Sequence, residues 1–273
     1  MIYETVTGST PSGNISESRL LELEKLAKST SQCILTPLKF FLSWSGVLVL
    51  TYEGFPRALE SLKEHIASNI TSLPPENSGS KWPKTSLGCL ADGVRITPQQ
   101  MELLLKICWE ESQAFSKSAA SLQQEINYSS MAVPVDALKV VVYECRSLER
   151  RISCQNLPFG LPLDKSSPSS KERERVASVL LEAESEGYWF QASRDGSREN
   201  HYRGNALGVT LVHDLQHAFT LQKLYSTVKP QEEQGTLQEL LRRFRDRVDR
   251  ELPGLYRWFT DDSLHVTLRA VMG

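Results

Sequence analysis

At 273 residues the chain can bury a substantial core, either as one large domain or as two smaller lobes. A hydrophobic share of 40% with 23% charged residues describes an ordinary globular protein, and a net charge of -2 with a pI near 6.3 excludes a chain that holds nucleic acid by bulk electrostatics. No apolar run reaches the roughly 20 residues that cross a bilayer, and the N-terminus lacks the basic-then-apolar order of a signal peptide. A cytoplasmic protein with no membrane partner is therefore expected. The five cysteines, Cys33, Cys89, Cys108, Cys145 and Cys154, are odd in number and form no Cys-x-x-Cys pair, so they read as free thiols.

Residues 1 to about 14 are rich in Ser, Thr, Gly and Pro and read as a tail. Ser16 to Lys28 then carries Leu20, Leu21, Leu23 and Leu26 at near-helical spacing, so 1–44 is an N-terminal tail and helix. The first lobe, 45–155, opens with the aliphatic run Ser45 to Tyr52, which predicts a buried strand. A helix from Arg57 to Ile70 places Leu59, Leu62 and Ile66 along one face, and a loop from Leu73 to Gly79 breaks it. A strand is predicted over Lys81 to Leu90. Thr97 as N-cap and Pro98 at the first helical position open a long helix through Trp109 towards Gln124. Leu138 to Tyr143 is another strand. The stretch 156–170, with Pro158, Pro162 and Pro168, reads as a linker or long surface loop between lobes.

The second lobe, 171–273, begins with a charged helix from Lys171 to Glu184. Strands are predicted at Gly187 to Gln191 and Ala206 to Val212, flanking the polar turn Arg194 to Asn200. Gln216 to Val228 is a helix, and Leu237 to Leu252 is a stronger one, with Leu237, Leu240, Leu241, Phe244 and Val248 as its apolar stripe and Pro253-Gly254 as its stop. The last stretch, Tyr256 to Val271, alternates polar and apolar at the period of a strand. Ser263, His265, Thr267 and Arg269 fall on one face and Leu264, Val266, Leu268 and Ala270 on the other. An imidazole, a hydroxyl and a guanidinium in a row suit a phosphate-handling surface, and the same pattern fits a half-buried strand with a solvated polar face.

Two stretches share one order: an aliphatic strand, an amphipathic helix, a break, then Trp followed by a strand carrying a hydroxyl and Leu. In the first these are Val47 to Tyr52, Arg57 to Ile70, Trp82 and Lys84-Thr-Ser86-Leu87. In the second they are Val209 to Val212, Leu237 to Leu252, Trp258 and His265-Val-Thr267-Leu268. The segment Arg257-Trp258-x5-Leu264-His265-Val266-Thr267-Leu268 resembles the His-x-Thr/Ser-hydrophobic motif of the two-histidine phosphoesterase superfamily, which includes RNA ligase and cyclic nucleotide phosphodiesterase relatives. The resemblance covers about residues 45–110 and 205–273. It implies an α+β fold with two pseudo-symmetric lobes of antiparallel sheet packed with helices around a central cleft. It also implies a nucleotide or RNA-end phosphate as ligand, such as a 2′,3′-cyclic phosphate, with His265 as acid or base, Thr267 and Ser86 on phosphate oxygens, and Arg269 as a further phosphate contact.

One departure stands out: Lys84 takes the place of the first histidine, and it lies 265 − 84 = 181 residues from His265, wider than the family's usual spacing. A lysine of pKa about 10.4 binds a phosphate as a point charge and shuttles protons poorly near neutral pH. The resemblance calls for no metal and no cofactor, because proton transfer and charge neutralisation can serve this chemistry. The competing reading is a catalytically inactive interaction protein that keeps the fold and offers the helices at 97–124 and 237–252 to a protein partner.

Two other constellations bear on function. His213-Asp-Leu-Gln-His217 spaces two imidazoles as a zinc-binding helix would, with Asp214 where zinc hydrolases carry Glu, but no third ligand is identifiable and His213 closes a strand. The basic run Arg242 to Arg250 could attract a polyanion, though its interspersed aspartates and Glu251 favour a solvated helix face.

Overall fold

The computed structural model describes residues 16–73, 82–120, 131–185, 199–204, 207–225 and 235–272, with isolated positions 76, 187, 188 and 192 between them. Among the described residues, helices α1 (Glu17–Lys28), α2 (Arg57–Asn69), α3 (Pro98–Ala120), α4 (Ser170–Leu181), α5 (Glu199–Tyr202), α6 (Leu215–Tyr225) and α7 (Leu237–Glu251) accompany ten strands. Strands β1 (Cys33–Leu35) and β5 (Val133–Val135) pair with each other alone. The other eight, β2 (Pro37–Leu42), β3 (Leu48–Tyr52), β4 (Lys84–Leu90), β6 (Ala137–Tyr143), β7 (Arg151–Pro158), β8 (Gly208–Asp214), β9 (Tyr256–Trp258) and β10 (His265–Met272), build one antiparallel sheet. Its order is β2-β3-β4-β10-β8-β6-β7, with β9 on the C-terminal part of β4. The expected α+β class is what the chain forms.

The sheet order repeats about the seam between β4 and β10: β4, β3, β2 one way and β10, β8, β6 the other. In both halves the connection from the neighbouring strand to the seam strand contains helix, as β3-α2-β4 and as β8-α6-α7-β9-β10, the second with the short strand β9 and a 3-10 turn added before the seam strand. The order shared by the two sequence units thus becomes a shared position in space. Strands β6 and β7 belong to the first part of the chain, β7 ending inside 156–170, yet they stand beyond β8, so the halves of the sheet interleave along the sequence.

Successive residues of each strand face opposite sides. Thr85 and Val266 face the main apolar core, along with Leu50, Leu87, Leu211 and Val140, and the Thr85 hydroxyl is 2.9 Å from that of Tyr52. At the outer edge, Phe40 of β2 stacks on Phe244 of α7 with ring centroids 3.9 Å apart, and α3 lies along the strand, where the Ser112 hydroxyl accepts the Phe40 N–H at 2.9 Å. That pairing closes part of an edge which would otherwise present bare backbone groups. The arginines of α7 bind helices together: Arg247 pairs with Glu110, Glu111 and Glu251, and Arg243 with Glu111. Much of the basic run is therefore committed to structure.

Several expectations change. The final strand is two strands, because a 3-10 turn at Asp261–Ser263 separates β9 from β10 and takes Ser263 out of the row with His265. Gly187 lies in a turn and Tyr188 is helical, not in a strand, and the rest of that segment lies outside the described residues, as do the N-terminal tail and most of the turn at 194–200. The first residues of 156–170 complete β7, and the remainder is tied down by backbone hydrogen bonds, including Leu161 N–H to the Thr30 carbonyl and Asp164 N–H to that of Gln32. Strands β1, β2, β5 and β7 had no clear sequence signal. Of these, β7 is mostly exposed, so no apolar alternation marks it. Thr97 caps α3 as expected, its hydroxyl accepting from the Gln100 N–H while the Gln100 side chain accepts from the Thr97 N–H.

The β4–β9 pairing depends on Gly88, where a Cβ would meet Trp258 Cε3 at 2.7 Å and the Arg257 carbonyl at 2.8 Å. Gly88→Ala should cost about 1–3 kcal/mol, read as a lowered urea midpoint with an unchanged m-value.

Candidate functional site

Everything at the site follows from one register: Val266 of β10 stands opposite Thr85 of β4. In an antiparallel ladder this puts Lys84 opposite Thr267 and Ser86 opposite His265. With Thr85 and Val266 facing the core, Lys84, Ser86, His265 and Thr267 all fall on the other face of the sheet. Four residues expected from two motifs 181 positions apart are thus neighbours across a single seam. Directly opposed side chains on one face have Cβ atoms about 4.5–5.5 Å apart, close enough to share a phosphate-sized ligand.

The His265 ring is held by its own chain. Its Nδ1 lies 2.7 Å from the Ser263 carbonyl, and since a carbonyl can only accept, Nδ1 donates. A neutral His265 therefore carries its proton on Nδ1 and its lone pair on Nε2. At 9% exposure the residue is nearly enclosed, while Lys84, Ser86 and Thr267 are half-buried. The Lys84 ammonium sits 4.5 Å from the centroid of the Trp82 ring, which attracts the cation.

Arg269 departs from its expected place. An unbroken ladder would set it opposite Thr210, but the register shifts between Thr267 and Arg269 and it stands opposite Leu211. A two-residue alternation does not survive such an irregularity. Arg269 is also only 4% exposed, and the Leu268 carbonyl at the shift accepts from Lys63 of α2 at 3.0 Å. It is not brought to the shared face by strand period.

Asp214, which pattern reading noticed only as a stand-in for a zinc-hydrolase Glu, is the cross-strand partner of His265. Leu215 N–H donates to the Leu264 carbonyl at 2.9 Å. The adjoining His265–Asp214 pair is accordingly a non-hydrogen-bonded one, the kind in which side chains stand closest. Arg151 grips the Asp214 carboxylate with two nitrogens, each at 2.8 Å, and Lys139 adds a third contact at 2.7 Å. Burial alone would raise the Asp214 carboxyl, but the hydrogen bonds from Arg151 and Lys139 hold it below the usual carboxylate range. The cluster joins β6, β7 and β8, so no local sequence signal could have announced it. Beside it opens a groove of about 530 Å³, bounded by Lys139, Arg151 and Asp214 with Gln216 and Thr220 of α6 and Asp262 of the 3-10 turn.

The two histidines of the zinc-like spacing belong to different elements, His213 to β8 and His217 to α6, with ring centroids 6.3 Å apart. His213 Nδ1 donates to the Ala137 carbonyl at 2.9 Å, and His217 Nε2 lies 2.8 Å from an Asp136 oxygen. Among the described residues no group of three His, Cys, Asp or Glu side chains is placed to hold a metal ion, and no helix is long and apolar enough to cross a membrane. Just after the turn at 194–200, Arg203 pairs with Asp92, and Arg150 donates to the Gly204 carbonyl.

Comparison of the chain with family models, curated proteins and solved structures found no match.

His213 gives this region a measurable pH dependence. Burial depresses its pKa below the ordinary 6.5, and the bond to the Ala137 carbonyl only partly opposes this. The unfolded chain takes up a proton near 6.5 and the folded chain only at lower pH. The stability due to neutral His213 is thus complete above about 6.5 and is lost as pH falls from there through the depressed folded value. Asp214 stays ionised over the upper part of this window. The urea midpoint of the wild type should fall between pH 7 and pH 5, and His213→Gln should flatten that slope.

Proposed function

We propose that this chain is a phosphoesterase-like protein that takes a cyclic nucleotide or RNA-end phosphate on the face shared by Lys84, Ser86, His265 and Thr267. The observation that supports it is the Val266–Thr85 register, which turns two sequence motifs into one four-residue cluster about a pseudo-twofold seam. The motif's resemblance to the two-histidine phosphoesterases supplies the substrate class.

On a 2′,3′-cyclic phosphate the chemistry runs as follows. His265 Nε2 accepts a proton from water as its oxygen attacks phosphorus. The bond from phosphorus to one ribose oxygen then breaks, and the resulting imidazolium returns the proton to that oxygen, leaving a phosphomonoester. Nδ1 stays bonded to the Ser263 carbonyl throughout, so the ring keeps its orientation while Nε2 gains and loses its proton. The Ser86 and Thr267 hydroxyls donate to non-bridging oxygens, and the Lys84 ammonium offsets their negative charge. Because Lys84 replaces a histidine, one imidazole performs both proton transfers and turnover is slow.

A hydrolysis assay with 2′,3′-cyclic nucleotides tests this reading. His265→Ala should lower kcat/KM by about 10²–10⁴-fold, whereas Lys84→Met should act mainly on KM. Binding without turnover would favour the catalytically silent interaction protein. Absence of both turnover and phosphate binding would overturn the proposal.

A further inference from the structure

Arg151 of β7 reaches both flanks of His265. Two of its nitrogens hold the carboxylate of Asp214, the cross-strand neighbour of His265 on β8. One of the same two, Nη2, also donates at 3.3 Å to the carbonyl of Asp262, in the 3-10 turn that leads the chain into β10. The next carbonyl along is that of Ser263, which accepts the Nδ1 proton of His265. Holding the Asp262 carbonyl fixes the peptide plane that enters Ser263, because a peptide unit turns as one body. The plane that leaves Ser263 is held by Leu264 N–H, which donates to the Asp261 carbonyl, while Ser263 N–H and hydroxyl both donate to the Thr260 carbonyl. The acceptor that orients the imidazole thus has its direction set from outside its own strand.

Arg151 is itself aimed. Its Nε donates at 3.1 Å to the carbonyl of Leu148, which holds a φ of 60°, a left-handed conformation that costs a non-glycine residue. Burial of Leu148 against Val141 and Val212 keeps it there. The other charges around the guanidinium are engaged elsewhere: Glu149 pairs with Arg257 and accepts from the Ser147 hydroxyl and Thr260 N–H, and His217 lies against Asp136. Lys139 gives Asp214 a single ammonium contact. A planar guanidinium can hold a carboxylate with two nitrogens and still donate to a third oxygen, which suits it to bridging a strand and a turn.

We infer that Arg151 is a positioning residue for His265: by tying Asp214 to the turn, it keeps the Ser263 carbonyl on Nδ1 and leaves Nε2 as the basic nitrogen. This rests on the reading of His265 as the proton carrier and names what holds that carrier in its working tautomer.

Nitrogen-15 NMR of the full chain at about pH 8, above the ordinary histidine range, reads which ring nitrogen bears the proton. The His265 signals are assigned by their loss in His265→Gln. The wild type should show the proton on Nδ1. Arg151→Met, in which Lys139 still pairs with Asp214, should show both tautomers, with kcat on a 2′,3′-cyclic nucleotide lowered about 10–100-fold and KM little changed. Arg151→Lys restores the charge without the fork and should recover part of the wild-type signal. Arg245→Met removes a different contact to the turn, through the exposed side chain of Asp261, and should leave the tautomer as it is.

Circular dichroism identifies the folded variants. If the folded Arg151 variants keep the proton on Nδ1, or Arg245→Met disturbs it as much as Arg151→Met does, the positioning role fails while the phosphoester reading stands. If the tautomer responds as expected but the wild type neither binds nor turns over a cyclic nucleotide, Arg151 keeps its role on the ring and the phosphoester reading fails.

Discussion

The pairing of β4 with β10 is the constraint on which the molecule depends. It joins the two halves of the sheet, and a single register position, Val266 against Thr85, sets which side chains share a face. Since the side-chain period of a strand is two, a slip by one residue on either strand would send its polar groups into the core and its Leu and Val residues outward. The apolar partners prevent this: Val266, Leu264, Leu268 and Leu87 are all buried, and Thr85 is anchored by Tyr52. The forces that seat the core thereby position the polar row opposite it.

Charge is distributed differently on the two sides of His265. Towards β4 lie Lys84 and Ser86, with Thr267 on the same strand as His265. Towards β8 lies a carboxylate whose negative charge is met by Arg151 and Lys139 together. An ion cluster with Asp214 this deeply buried is expensive to desolvate, and removing one of its partners would leave a buried charge uncompensated. Its placement across the ladder from the proposed proton carrier gives His265 a polar neighbour with a fixed charge. Meanwhile the most conspicuous basic segment, in α7, takes little part in this field, because Arg247 and Arg243 are spent on clamping α7 to α3.

Much of the fold was legible where local pattern and burial agree. The stripe Leu237, Leu240, Leu241, Phe244 and Val248 reads as a helix and buries as one, and the alternation from His265 to Leu268 reads as a strand with its polar side outward from the core. Legibility failed where pattern is silent or interrupted. Strand β7 shows little apolar alternation because it is an exposed edge, the turn at Asp261–Ser263 hid inside an apparently continuous strand, and the register shift after Thr267 displaced Arg269 from a row that arithmetic alone had given it.

The sequence by itself determined the α+β class, most of the helices, the two strand motifs and the departure of Lys84 from the histidine pattern, because these rest on periodicity and residue chemistry within short windows. Only the tertiary structure decided that Lys84, Ser86, His265 and Thr267 meet, that Arg269 leaves their row, and that Lys139, Arg151 and Asp214 converge beside them. Each of those outcomes is a matter of register between strands far apart in the chain, and register is fixed by the burial of whole sheet faces, which no short window contains.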